Sequence, residues 1–199
     1  MAVVVAERRQ EKEDVAMRYY GASDLARSFR TVRKNTLAIA EEIPEEHYGF
    51  RPTPESRSVV EILVHIVVAA QGSYRSHAVR KITTFVGIDF PTLIRERLER
   101  EKQLSTASKA QILEELRTDG DNWGAYLDTV SEEALAQIVP FPEPAVPPVK
   151  SRFEMLLSVK EHEMHHRAQL MVFQRLLGLV PHLTRDRQAR MGPPSPRTG

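Results

Sequence analysis

The chain has 199 residues, 41% hydrophobic and 28% charged, with a formal charge of +1. That describes one soluble domain with a sizeable core, and so even a charge excludes a strong electrostatic pull toward nucleic acid or a membrane surface. Cysteine is absent, which excludes disulfides, thiolate ligands and a cysteine nucleophile, leaves histidine and carboxylate to bind any metal, and fits a cytoplasmic protein.

Residues 1–20 are charged with little periodicity and read as an N-terminal tail. Ser23 is a candidate cap for the first helix, along which Leu25, Phe29, Val32, Thr36, Ile39 and Ile43 recur at spacings of four and three until Pro44 ends it. Three prolines and Gly49 make 44–54 a loop, with Tyr48 and Phe50 as packing anchors. Ser58-Val59-Val60-Glu61 has the form of a capping box, so a second helix starts near Val59 and runs to about Arg80. It is apolar on most sides, but Glu61 and His65 interrupt the run, so it is a buried helix and not a membrane span. A buried His65 needs a hydrogen bond or a metal bond to offset desolvation. Ala69, Gly72 and Ser76, all small, follow it on the same stripe and would leave space around the imidazole.

Residues 81–107 form a long connection in which Pro91 can open a short helix. Ser108 to Gln111 is a second capping box, starting a third helix through Leu116, Trp123 and Leu127; Gly120 and Gly124 in it signify a bend or a close backbone approach. Five prolines between 140 and 148 hold the chain extended, and Ser151 to Glu154 caps the last long helix. That helix carries Glu161-His162-Glu163-Met164-His165-His166 and is closed by Gly178. Residues 183–199, rich in proline and arginine, are expected to be disordered, which leaves 21–182 as the domain.

Four long amphipathic segments without a convincing strand pattern give an all-α four-helix bundle, and the connection between its second and third helices is long enough to let those two run parallel. His162 and His166 stand one turn apart on the core-facing stripe, the spacing at which two imidazoles share a metal ion. His65 on the facing helix completes a set of three neutral imidazoles, suited to zinc, nickel or iron(II), with coordination positions left open to water or substrate.

The stretch His162 to His166 also matches HExxH, the zinc-protease motif with glutamate as base. No glutamate follows Glu163 and the protease scaffold is missing, so the match does not carry that reading. Glu163 is retained as a candidate catalytic base at the metal site, although one step along the helix turns it about 100° from His162. His165 and Gln169 are candidate outer-sphere or pocket residues. Arg75 and Arg167 are candidate anion contacts, although surface arginines are the usual explanation for such residues.

The segment Arg57 to Ile66, the run His162-x-x-x-His166-Arg167-Ala168-Gln169-Leu170, the Arg175-Leu176-Leu177-Gly178 ending and the loop Phe50-Arg51-Pro52 together resemble the DinB/YfiT-like superfamily across roughly residues 20–182. The resemblance implies an up-down-down-up bundle, a divalent metal held by His65, His162 and His166, and a homodimer. Ala168 stands where the family usually has glycine. The resemblance also implies chemistry: relatives include transferases that use low-molecular-weight thiols. Transfer of such a thiol to an electrophile is therefore the leading expectation, with metal-dependent hydrolysis, or a non-catalytic metal-binding stress or interaction protein, as alternatives.

Overall fold

The computed structural model describes residues 20–192. Four long helices form the bundle: α1 (Ala22–Glu42), α2 (Val59–Tyr74), α4 (Lys109–Asp128) and α6 (Arg152–Leu176). α1 packs on α4 and α6, and α2 packs on the same two from the other side. The connections carry α3 (Phe90–Leu104), α5 (Glu132–Ala136) and a two-stranded antiparallel sheet of β1 (Ile138–Pro140) and β2 (Val149–Ser151), paired Val139 to Lys150. A last helix, α7 (His182–Met191), follows.

Local chemistry explains most of the boundaries. The Ser58 and Ser108 side chains accept from the backbone N–H of Glu61 and Gln111, and those residues reach back to the cap N–H, as expected of capping boxes. At α6 the Ser151 side chain accepts from Glu154 N–H. The start of α1 differs from expectation: Gly21 is the cap residue and Asp24 accepts from its N–H, so Ser23 lies inside the helix. Gly178 ends α6 with φ of +79°, a backbone that favours glycine. The second helix also stops short of Arg80 as a regular α-helix, because Arg75–Val79 is wound as a π-helical turn.

Two expectations are corrected. The proline-rich 138–151 region is not merely extended: β1 and β2 pair across it, and Pro140 at the end of β1 still offers its carbonyl to Phe85 N–H. Residues 183–191, expected to be disordered, are helical in α7. Pro181 suits a helix start, and the helix is tied down by Arg175 donating to Thr184, by His182 near Asn35 and by the Arg185–Glu42 ion pair. The rest of both expected tails, 1–19 and 193–199, lies outside the described residues.

The core is in two parts. One cluster gathers Ile39, Ile43, Leu63, Ile112, Leu116, Leu170 and their neighbours, with Tyr48 and Phe50 packed on it from the loop. The other gathers Leu25, Phe29, Trp123, Leu127 and Leu156. Between them, at mid-height, lies a polar layer containing Arg33, Asp119, Glu163, His65 and His166, all buried. Arg33 crosses from α1 to α4 over Gly120, where a Cβ would come within 2.8 Å of the Arg33 Cγ. The α4 glycines therefore leave room for the side chains of Arg33 and Arg30 from α1, and α4 runs through them without interruption.

Candidate metal centre

His65 enters from α2 and His162 and His166 from α6, and their Nε2 atoms converge. His162 Nε2 is 3.0 Å from His65 Nε2 and 3.2 Å from His166 Nε2, and candidate ligand atoms of all three lie within 4.8 Å of one another. Nitrogens held about 2.1 Å from one ion stand roughly 3.0 Å apart in octahedral and 3.4 Å apart in tetrahedral geometry, so both of these separations suit a shared ion.

The outer nitrogens fix which atoms are free to ligate. His166 Nδ1–H donates to Gln169 Oε1 at 2.8 Å, and His65 Nδ1–H donates to Glu101 Oε1 at 3.3 Å. Arg97 holds that same Glu101 oxygen through its Nε at 3.1 Å, while its Nη2 stands 3.5 Å from His65 Nδ1, a longer contact than the carboxylate makes, so the carboxylate sets the tautomer. With their protons on Nδ1, His65 and His166 each present an Nε2 lone pair to His162. A single proton on His162 Nε2 can satisfy only one of those two contacts. Three imidazole edges thus meet with more lone pairs than protons, an arrangement completed by a cation. Burial pushes all three imidazoles below their ordinary pKa, His162 to about 4 with its histidine neighbours adding to the effect, so the set is neutral at pH 7.

The other predicted site residues are placed as follows. Gln169 orients His166 through the bond just described. His165 is exposed, edge-on to His166 with ring centroids 4.9 Å apart, and its Nε2 is 3.3 Å from Gln169 Nε2. Glu163, expected as a base at the metal, has its carboxylate bound by Arg33 and lines the cavity described below. Arg33 Nε reaches both of its carboxylate oxygens, at 3.0 and 3.1 Å, and Arg33 Nη2 donates to Oε2 at 2.9 Å. The turn of about 100° per residue that faces His162 toward α2 faces Glu163 toward α1. Arg33 also holds Asp119 at 3.0 Å and the Leu116 carbonyl at 2.6 Å, and burial raises the Asp119 carboxyl to about 6 against the pull of that guanidinium.

Three participants were not legible beforehand. Glu101 and Arg97 lie in the charged connection, where alternating Arg and Glu read as a solvated helix. Arg33 sits among apolar stripe residues and carries no motif. The small residues following His65 do open a space: a cavity of about 640 Å³ adjoins the triad, lined by His65 and His162, by Ala69 and Gly72 of α2, and by Ser76 of the π-helical turn. Its outer wall comes from the connections, where Phe85 stacks on Phe141 at 5.1 Å and a small cluster of Ile82, Phe85 and Val139 supports them.

His77, buried in the π-helical turn, also lines this cavity. Arg152 Nη1 donates to its Nδ1 at 2.8 Å, and burial with the nearby guanidinium lowers its pKa to about 4. Because the folded value lies below the usual 6.5, the stabilisation is present above pH 6.5 and is lost as pH falls toward 4. Between pH 7 and pH 5 the metal-free protein should lose about 2 kcal/mol from this group. Urea unfolding at both pH values should show that loss, and His77→Asn, which keeps an acceptor for Arg152, should reduce it.

A helical bundle whose core presents three convergent imidazoles beside a cavity defines a candidate metal-site protein of the four-helix class. The chain belongs to the DinB superfamily, whose family model matches residues 28–170. It is 26% identical over 160 residues to the uncharacterized protein YjoA of Bacillus subtilis (strain 168), covering 79% of this chain and 91% of that protein. Among solved structures, YfiT from Bacillus subtilis, described as a probable metal-dependent hydrolase with an unusual four-helix bundle topology, superposes with a TM-score of 0.64 at 15% identity, covering 84% of this chain and 94% of that one. An uncharacterized protein from Clostridium difficile 630 superposes at 0.61 with 12% identity, covering 79% and 98%. These likenesses carry the bundle fold. No helix among the described residues is long and apolar enough to cross a membrane.

Proposed function

We propose that the chain is a divalent-metal-dependent enzyme that transfers a low-molecular-weight thiol to an electrophilic substrate. The observation that carries the metal part is the convergence of the three Nε2 atoms, with the Nδ1–H groups of His65 and His166 held by Glu101 and Gln169. Zinc, nickel and iron(II) all suit three imidazoles. An ion held there supplies a Lewis acid with open positions, which lowers the pKa of a thiol that binds it.

The residues of the chain set the remaining terms. With no cysteine present, the thiol is a cosubstrate. Its S–H proton passes to solvent, its sulfur bonds the electrophilic carbon, and the displaced group departs with the bonding pair. Such a reaction asks for no carboxylate base at the site, which agrees with Glu163 being bound to Arg33. The cavity gives the electrophile a place beside the triad. That space also favours an enzyme over a metal-binding stress or interaction protein without turnover. Hydrolysis is the second reading, favoured by the description of YfiT as a probable metal-dependent hydrolase.

Metal-loaded protein offered a panel of small thiols with monochlorobimane should give a metal-dependent rate of conjugate formation with at least one of them. No metal-dependent rate above the chemical background with any thiol would sink the transferase reading. Metal-dependent release of nitrophenol from nitrophenyl esters under the same conditions would favour the hydrolase.

A further inference from the structure

The cavity beside the triad is lined from His65 on α2 to His77 in the π-helical turn, and from His162 back to Met155 on α6, so it is elongated. Twelve helical positions separate His65 from His77, roughly 18 Å at 1.5 Å per residue. We propose that the end remote from the triad is an anion-binding pole, where the Nε2–H of His77, with Arg75 and Arg80, receives the terminal carboxylate of an elongated substrate that has an apolar body. The proposal rests on the metal reading above and names the substrate class of that same site.

His77 supplies the first argument. A guanidinium only donates, so the contact from Arg152 makes His77 Nδ1 the acceptor and places the ring proton on Nε2. The ring lines both the large cavity and a smaller one beside it, and Arg152 borders only the smaller. The nitrogen facing Arg152 is thus committed, and the other edge of the ring is the one that serves the large cavity. A histidine locked in this way offers a directed hydrogen bond without gaining charge at neutral pH.

Charge supplies the second. Arg75 and Arg80 share one carboxylate, that of Glu96, at 3.9 and 3.0 Å, which leaves a surplus of positive charge at this end. Lys150 of β2 also lines the cavity, but its ammonium is paired with Glu154 at 3.2 Å, so the surplus rests on Arg75 and Arg80. Arg75 and His77 both stand in the π-helical turn and both line the cavity, and such turns recur at functional sites.

The walls between the poles supply the third. Leu93, Ile94, Met155 and the stacked Phe85 and Phe141 give them an apolar surface. Gly72 also lines the cavity, and a Cβ built there would meet nothing within 4 Å, so the wall is open at that point. A ligand that fits would carry its reactive group at the triad, an apolar midsection, and a negative charge at the far tip.

Two series of probes test this on the metal-loaded protein by calorimetry: alkyl hydroxamates, and the monohydroxamates of dicarboxylic acids with the same chains of roughly six to ten carbons, suited to a run of roughly 18 Å. The hydroxamate engages the metal in both series, and only the tip differs. The carboxylate-tipped compound should bind about tenfold or more tightly than its methyl-tipped partner at the best chain length. His77→Asn, whose side-chain oxygen replaces Nδ1 as acceptor for Arg152 but supplies no donor at the Nε2 position, should abolish that advantage. His77→Gln, whose amide nitrogen falls near the Nε2 position, should restore part of it, and Arg80→Gln should reduce it. The 15N resonance of His77 Nε2 should shift with the carboxylate-tipped compound and not with the other. Equal affinity of the two series at every length, or an advantage that survives in His77→Asn, would overturn the anion pole while leaving the metal site standing. Binding by neither series would overturn the metal reading, and the pole with it.

Discussion

Replacing Arg33 with methionine should cost about 3–5 kcal/mol of folding free energy, enough to leave the chain largely unfolded or metastable at 37 °C. The guanidinium joins α1, α4 and α6 through buried contacts with Asp119, the Leu116 carbonyl and Glu163. Without it, two carboxyl groups that are 4% and 1% exposed lose their counter-charge, and a buried carbonyl loses its donor. Urea denaturation followed by circular dichroism measures the effect. A loss below about 1 kcal/mol would show that the network contributes little. Asp119→Asn should behave differently. The folded pKa of Asp119 is raised to about 6, so its favourable contribution is present below the unfolded value and lost as pH rises through 6. At pH 7.5 the neutral amide should therefore be tolerated or mildly stabilising, whereas Arg33→Met is severe.

The second large effect concerns the metal. His65→Ala and His166→Ala should each abolish stoichiometric zinc, nickel or iron in elemental analysis of the purified protein, while His165→Ala retains it. Removing one of three ligands leaves two imidazoles from two helices, and affinity should fall by more than the 10- to 100-fold that loss of an outer hydrogen-bond partner brings. Gln169→Leu should show that smaller loss, because it removes only the acceptor for His166 Nδ1–H. Full occupancy in His65→Ala would mean that α2 contributes no ligand and that the convergence of the three rings has another cause.

Much of this architecture was legible because it is governed by local rules. The helix starts at Ser58 and Ser108 follow from four residues each, and the pairing of His162 with His166 follows from helical pitch. The role of small residues after His65 was legible for the same reason, since position on a helix face depends only on spacing. What escaped depends on distant partners. Glu101 comes to His65 from 36 positions away, in a helix whose composition reads as surface. Glu163 could be turned away from the metal by arithmetic, but nothing local says that Arg33, 130 positions earlier, receives it. The β1–β2 pairing across a proline-rich segment, the π-helical turn and the helix after Pro181 belong to the same class. Each is stabilised by contacts with other elements: Phe85 on Pro140, Ile82 on Ser76, Arg185 on Glu42.

The outer wall of the cavity bears on how such a protein changes over time. The triad and the ion network at its back stand on the long helices, whereas Phe85, Phe141 and Lys150 stand on the segments that join them, held by their own small apolar cluster and by backbone contacts such as Phe85 N–H to the Pro140 carbonyl at 2.8 Å. Substitutions in that wall are insulated from the packing that sets the imidazoles. Under the reading proposed above, substrate preference is free to drift while the triad stays fixed, so divergence in this chain should accumulate first between residues 80 and 90 and between 138 and 151.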